Sequence, residues 1–243
     1  PYTTLFRSHA TTKRIYGAYV QWCQENVEKP LAEKTFNPRL GILGGLSILG
    51  SSGLVRPMSE EALKEALSEE LSMLFSEGHT ALIYTFGREG EATMRALYPA
   101  FPVIQVSNEI GFMLDEAREI GIRHILLGGH PGKLCKIAAG IMQTHSATAD
   151  GRREAIITHL ALMGAPVPLL EAVYSCATTD RAMDLIHGAG FDAVWDRLAE
   201  AARHYASLRV RGKTAIDVVI TDREGRKIGA AMENAWQGRW SPA

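Results

Sequence analysis

Cysteine is scarce in this chain: three in 243 residues, Cys23, Cys135 and Cys176, odd in number and far apart. Without a CxxC spacing the sequence suggests neither a zinc site nor a disulfide framework, and a reducing cytoplasm is the compartment that fits. Long apolar runs are lacking too, so no segment is expected to span a bilayer, and nothing at the start reads as a signal peptide. Positive charge is not in excess either: 26 Lys and Arg against 27 Asp and Glu leave a net charge of -1. No global field then draws in nucleic acid or an anionic membrane, and any anionic ligand must be held by local groups. Internal repeats and low-complexity segments are absent. Oligomeric state is not encoded in any visible pattern.

What is present is an ordinary globular composition, 46% apolar and 22% charged, in a chain long enough for a real core. Pro1–Ser8, PYTTLFRS, reads as the in-frame translation of a sequencing adapter. Residues 1–30 are therefore set apart as adapter and remnant, and an α/β domain is expected over residues 31–243. From Arg39 onward short apolar runs alternate with helical periodicity. Strand runs fall at 40–45, 80–86, 102–106 and 124–129, the last a continuous apolar run suited to a buried parallel strand. Helices are expected at 59–76 with Ser59 as N-cap, at 91–98, after a Ser107 or Asn108 cap, and over 133–144. Asp150 is expected to cap a helix running to Met163. Shorter helices follow at 169–175 and 179–187, then a longer one over 191–206. Residues 215–221 and 226–230 read as a terminal hairpin around the Asp222–Gly225 turn. The predicted architecture is a predominantly parallel sheet with helices on both faces, followed by a helical segment and a C-terminal β-hairpin. Such sheets bind ligands beyond the carboxyl ends of their strands.

Four segments could carry chemistry. GILGGLSILGSSG, Gly41–Gly53, ends a strand in Gly44 and Gly45 and continues to Gly50, Ser51, Ser52 and Gly53. Glycines let a backbone come close to a ligand, but the spacing is not GxGxxG, and a ligand loop and a plain tight connection fit equally. GGHPGKL, Gly128–Leu134, has the strand, glycines, lysine and helix of a phosphate loop. It lacks the four-residue gap, and Leu134 stands where a magnesium-binding Ser or Thr belongs, so a P-loop is rejected. The helix N-terminus still offers N–H groups to an anion. Lys133 would add to it, whereas Lys136 reads as a solvated lysine. THSATADGR, Thr144–Arg152, is dense in polar groups between two helices. Asp150 there reads as a cap and His145 stays open between acid–base work and a structural role; no ligand spacing for a metal is present. His124 and His159 lie inside elements and read as structural. Ser107-Asn108-Glu109 and Thr178-Thr179-Asp180 read first as helix caps.

These segments together resemble one family, the cobalt-precorrin-5B C1-methyltransferases (CbiD). The resemblance runs from about Glu33 to about Gly229 through KTFNPRLGILGG (Lys34–Gly45), GLVRPMSEEA (Gly53–Ala62), IGFMLDEA (Ile110–Ala117), GGHPGKLCKIAAGIMQTHSATADGR (Gly128–Arg152) and ITHLALMGAP (Ile157–Pro166), with the TTD at Thr178. It implies methyl transfer from S-adenosylmethionine to C1 of a cobalt-containing corrin precursor in anaerobic cobalamin synthesis, with cobalt belonging to the substrate and no protein metal site; the alternative is a truncated, non-catalytic module that binds S-adenosylmethionine or the tetrapyrrole. Family members also carry an N-terminal domain with a YTTGSCA-like motif, which is not found here. On this reading Gly44, Gly45, Gly50, Ser51, Ser52 and Gly53 approach the methyl donor. Arg39, Arg56, Asn108, His130, Gly132, Lys133, His145, Ser146 and Arg152 are the substrate-binding candidates, arginine by bidentate pairing with carboxylates; Arg153 is left as a surface charge. His145 is the one candidate catalytic residue.

Overall fold

The computed structural model describes residues 60–233. The chain divides into two compact units, residues 1–66 and 67–243, and the elements below belong to the second, apart from the opening of the first helix. In order they are α1 (Glu60–Ser76), β1 (Ala81–Thr85), α2 (Gly87–Leu97), β2 (Val103–Gln105), α3 (Ile110–Ile120), β3 (His124–Gly129), α4 (Pro131–Ala138), α5 (Arg152–Leu162), α6 (Val167–Tyr174), α7 (Thr179–Gly188), α8 (Val194–Arg209), β4 (Ala215–Thr221) and β5 (Lys227–Ala231).

The five strands form one sheet in the order β2-β1-β3-β4-β5. The first four are parallel and β5 returns antiparallel to β4, which bears out the mostly parallel sheet and the terminal hairpin. Because side chains alternate along a strand, the sheet feeds two cores. Leu82, Tyr84, Ile125, Leu127, Val218 and Ile220 face the larger core with residues of α1, α3, α4 and α8. Ile83, Leu126 and Val219 face the other side with Met94 and Tyr98 of the α2 segment. β3, paired on both edges and covered on both faces, is buried at every position, as its unbroken apolar run requires. At Gly128 a Cβ would collide with the Met94 side chain, whose Cγ lies 2.9 Å from that point. The strand-end glycine is thus explained by the close approach of α2.

β1 leads on to β2 and β3 to β4 in opposite directions across the sheet, so the loops that follow them part at the carboxyl edge, where open α/β sheets leave a crevice. α4 is shorter than its apolar periodicity predicts. Gly140 takes φ +78, its N–H donates to Ile137 O (2.8 Å), and the Ile141 N–H donates back to Lys136 O (2.9 Å). That pair of bonds is a Schellman ending, so Ile141 and Met142 leave the helix. The segment from Ile141 to Asp150 becomes a loop tied to the start of α3. Thr144 N donates to Asn108 O (3.2 Å) and Gly111 N to Met142 O (3.0 Å). Among the described residues no helix is long and apolar enough to cross a membrane.

Candidate functional site

The polar residues singled out in sequence gather where α4, the start of α3 and the loop 141–151 meet, beyond the carboxyl ends of β2 and β3. Lys133 is central. Its ammonium donates to Asn108 Oδ1 and to the Thr144 carbonyl (3.1 Å). Lys136, one turn further along α4, donates to the same Thr144 carbonyl (3.1 Å) and to the Ala149 carbonyl (2.8 Å). Lys136 is 3% exposed, so the expectation of a solvated lysine is corrected: the loop folds over it and uses it as an internal clamp. All three acceptors, the Asn108 amide oxygen and the Thr144 and Ala149 carbonyls, are neutral. Burial, then the neighbouring Lys136 and Arg152 charges, hold the Lys133 ammonium below its ordinary pKa, and burial does the same to Lys136. Two ammonium groups thus share one carbonyl, and a partly buried positive centre is left for an anion.

Asn108 is part of this cluster and not a cap. α3 has Glu109 at its N-cap without a side-chain cap bond, while Asn108 Oδ1 also accepts from Thr144 Oγ1 (3.2 Å). Asp150 is corrected in the same way. The N-cap of α5 is Gly151, with φ +63, and the Asp150 carboxylate instead takes a bidentate bond from Arg152 (2.5 and 2.8 Å). That guanidinium draws the Asp150 carboxyl down to about 2. In both cases a residue type that caps helices is committed to a stronger partner.

His130 is the N-cap of α4. Its Nδ1 accepts from Gly132 N (3.3 Å), which leaves Nε2–H to donate to Asp180 Oδ1 at 3.0 Å. Asp180, at the start of α7, also accepts from Arg223 (2.6 Å) in the β4–β5 turn. Thr178 is the cap of α7 through its bond from Arg181 N (3.3 Å), as its position in sequence suggests, but Asp180 reaches out to His130. His145 and Ser146 are exposed in the loop. The His145 Nδ1 accepts from Ala147 N (3.2 Å), a local turn bond. The structure therefore joins Asn108, Lys133 and Thr144 in one cluster and links His130, Gly132 and Asp180 in another. Arg152 is held on Asp150, near enough for its charge to act on both lysines. Arg39, Arg56 and the glycine turn Gly44, Gly45, Gly50, Ser51, Ser52 and Gly53 lie outside the described residues.

Sequence reasoning missed three participants: Lys136, Asp180 and Arg223. Lys136 carried a signal, since it lies inside the apolar run Leu134-Cys135-Ile137-Ala138, all of it buried. Cys135 in that run is sealed, its thiol pushed up by burial to about 12, so it is no nucleophile. Among the described residues no group of three or more His, Cys, Asp or Glu side chains is placed to hold a metal.

Comparison with known proteins agrees with the resemblance. Residues 143–232 match the CbiD C-terminal domain and residues 12–57 match CbiD. The chain is 52% identical over 189 residues to the cobalt-precorrin-5B C(1)-methyltransferase of Photorhabdus laumondii, covering 76% of this chain and 50% of that protein. It is 48% identical over 204 residues to the protein of that name from Edwardsiella ictaluri, with 82% and 54% covered. To the one from Klebsiella pneumoniae it is 48% identical over 171 residues, with 70% and 45% covered. The chain thus spans about half the length of the curated relatives it matches. No solved structure matches it. Two matches to one family in chain order, with relatives at about half identity across most of its length, mean that this chain belongs to the CbiD family.

Proposed function

We propose that the protein takes part in methyl transfer from S-adenosylmethionine to C1 of cobalt-precorrin-5B, in the cytoplasmic synthesis of cobalamin. The observation that carries this is the 52% identity, across 76% of the chain, to a protein named for that reaction. The methyl group passes from the sulfonium sulfur to carbon as the carbon's electron pair forms the new bond, and S-adenosylhomocysteine leaves. Such a step needs alignment and exclusion of water more than a protein base, which suits a cluster with no nucleophile–base pair among the described residues. The tetrapyrrole is a polycarboxylate carrying its own cobalt. Lys133, with Lys136 behind it, is the group in the described residues best suited to one of those carboxylates, because both ammoniums are bonded only to neutral acceptors. Asn108 and the α4 N-terminus position Lys133, and His145 and Ser146 in the exposed loop stand ready to contact the rest of the ring.

The test is a transfer assay on a full-length relative, read by mass spectrometry. Product with one added methyl, dependent on S-adenosylmethionine, is expected; no transfer by a folded enzyme rejects the reading. The counterpart of Lys133→Met should raise KM for the tetrapyrrole about tenfold, the worth of one charge-assisted hydrogen bond, and leave KM for the methyl donor unchanged.

A further inference from the structure

On the far side of the His130–Asp180 link lies a half-open groove of about 570 Å³ between α7 and the β4–β5 turn. Its volume falls in the range of small-molecule sites, roughly 300–1,000 Å³. Neither segment stood out in sequence: one reads as a helix cap and the other as a hairpin turn. The groove has an apolar side, the half-buried Met183 and Ile228 with the core residue Trp195 behind them, and a charged one. Its five carboxylates, Asp180, Asp184, Asp192, Asp222 and Glu224, outnumber the three cations Arg223, Arg226 and Lys227. Most of the carboxylates are engaged: Asp222 and Glu224 by Arg226, Asp180 by Arg223 and His130, Asp192 by His187. The ion pair of Asp184 is a long one, 3.8 Å to Arg181, with both side chains well exposed.

A polycarboxylate is repelled by this lining and attracted by the lysine pair on the other side of His130. The groove instead suits a compact ligand with cationic centres, a carboxylate for an arginine and a flat apolar body. We infer that it receives the methyl donor, S-adenosylmethionine. This rests on the methyltransferase reading and adds a location to it. His130, at the head of the helix that bears both lysines, then stands between the two ligands as a positioning residue. The charge balance has a further consequence. The donor carries a sulfonium that the product lacks, so a net negative groove holds S-adenosylmethionine more tightly than S-adenosylhomocysteine and favours product release.

Calorimetric titration of the intact chain with S-adenosylmethionine and with S-adenosylhomocysteine tests the inference. The expected result is saturable binding of both, the donor tighter, and a donor Kd raised about tenfold in Asp184→Asn/Asp192→Asn, as for loss of charge-assisted contacts. The same charge change made elsewhere, Glu77→Gln/Glu154→Gln, should leave both constants unaltered. All these side chains are exposed, and matching thermal melts establish that the variants fold. Donor affinity unchanged in the groove variant but lost in Gly53→Val would move the donor to the Gly44–Gly53 turn and overturn the inference. So would a folded chain that binds no donor. The transfer assay on a full-length relative decides the methyltransferase reading separately: transfer there with no effect of the groove residues rejects the groove alone.

Discussion

Two histidine–aspartate pairs bracket β3, one at each end. At its amino end His124 Nε2 lies 2.9 Å from Asp217 Oδ2, with side chains 1% and 0% exposed. Just past its carboxyl end His130 Nε2 lies 3.0 Å from Asp180 Oδ1, with side chains 33% and 31% exposed. The bond lengths match and the settings are opposite. The inner pair ties β3 to β4 inside the sheet, and Asp217 also accepts the Glu233 N–H at 2.8 Å. The Tyr98 phenol nearby is pushed up by burial and by the Asp217 charge. The outer pair joins α4 to α7 at the rim, on the edge where the sheet can meet a ligand. What separates a structural pair from a positioning pair here is therefore the end of the strand at which it sits, not its geometry.

The largest effect should come from breaking the inner pair. His124→Ala leaves a buried carboxylate without its imidazole, and losing one partner of a buried pair costs on the order of 3–5 kcal/mol. His130→Ala, at a partly exposed pair, should cost less than about 1 kcal/mol. Urea unfolding of the two variants makes the comparison. Equal costs would mean that the rim pair is as structural as the inner one and would remove its positioning role.

The lysines of α4 repeat the contrast at closer range. Lys136→Met removes the clamp on the Thr144 and Ala149 carbonyls, although it also relieves the burial of a charge. Thr144 keeps its bond from Lys133, so it is the Ala149 carbonyl that is left without a side-chain donor; the net cost should be about 1 kcal/mol, and amide exchange should quicken across residues 144–150. Lys133→Met leaves Lys136 on Thr144, so unfolding should move little. Loop exchange that stays slow in Lys136→Met would show that the backbone bonds to Asn108 and Gly111 hold the loop by themselves.

How far these contrasts are legible in sequence depends on their range along the chain. The α/β alternation and the hairpin are local signals: β3 is a continuous apolar run, and Asp222–Gly225 is a turn by composition. The sites are not local. Asp180 lies 50 residues from His130, and Asn108 lies 25 from Lys133. Asn and Asp are also the residues that cap helices, so Asn108, Asp150 and Asp180 each offered a sufficient short-range explanation. The structure shows each of them in a side-chain bond that this explanation left out. The Ile141 periodicity misled for a related reason. From the loop, Met142 packs against the larger core and Ile141 lies against Gly151, so their apolar spacing continued after Gly140 had ended the helix. Legibility is lowest at the groove, whose walls come from segments about 40 residues apart with no pattern in common.

A third histidine calibrates the two pairs because it lacks a carboxylate. His159 of α5 is half-buried, its Nδ1 has no hydrogen-bond partner among the described residues, and burial, then the Arg197 charge, hold it below the ordinary 6.5. The sign follows from proton uptake. As pH falls through the unfolded value the unfolded chain takes a proton that the folded chain resists, so the contribution of His159 to stability is complete above about 6.5 and is lost on acidification. His159→Gln should therefore flatten the melting curve: the fall in Tm between about pH 7.5 and 5.5 should shrink by about 1–2 °C, the scale of a few tenths of a kcal/mol in a domain of this size. The imidazole is partly solvated, which keeps the effect small. Parallel curves for parent and variant would assign the acid sensitivity elsewhere, and repeating the series with His124→Ala and His130→Ala would then show which of the two pairs carries it.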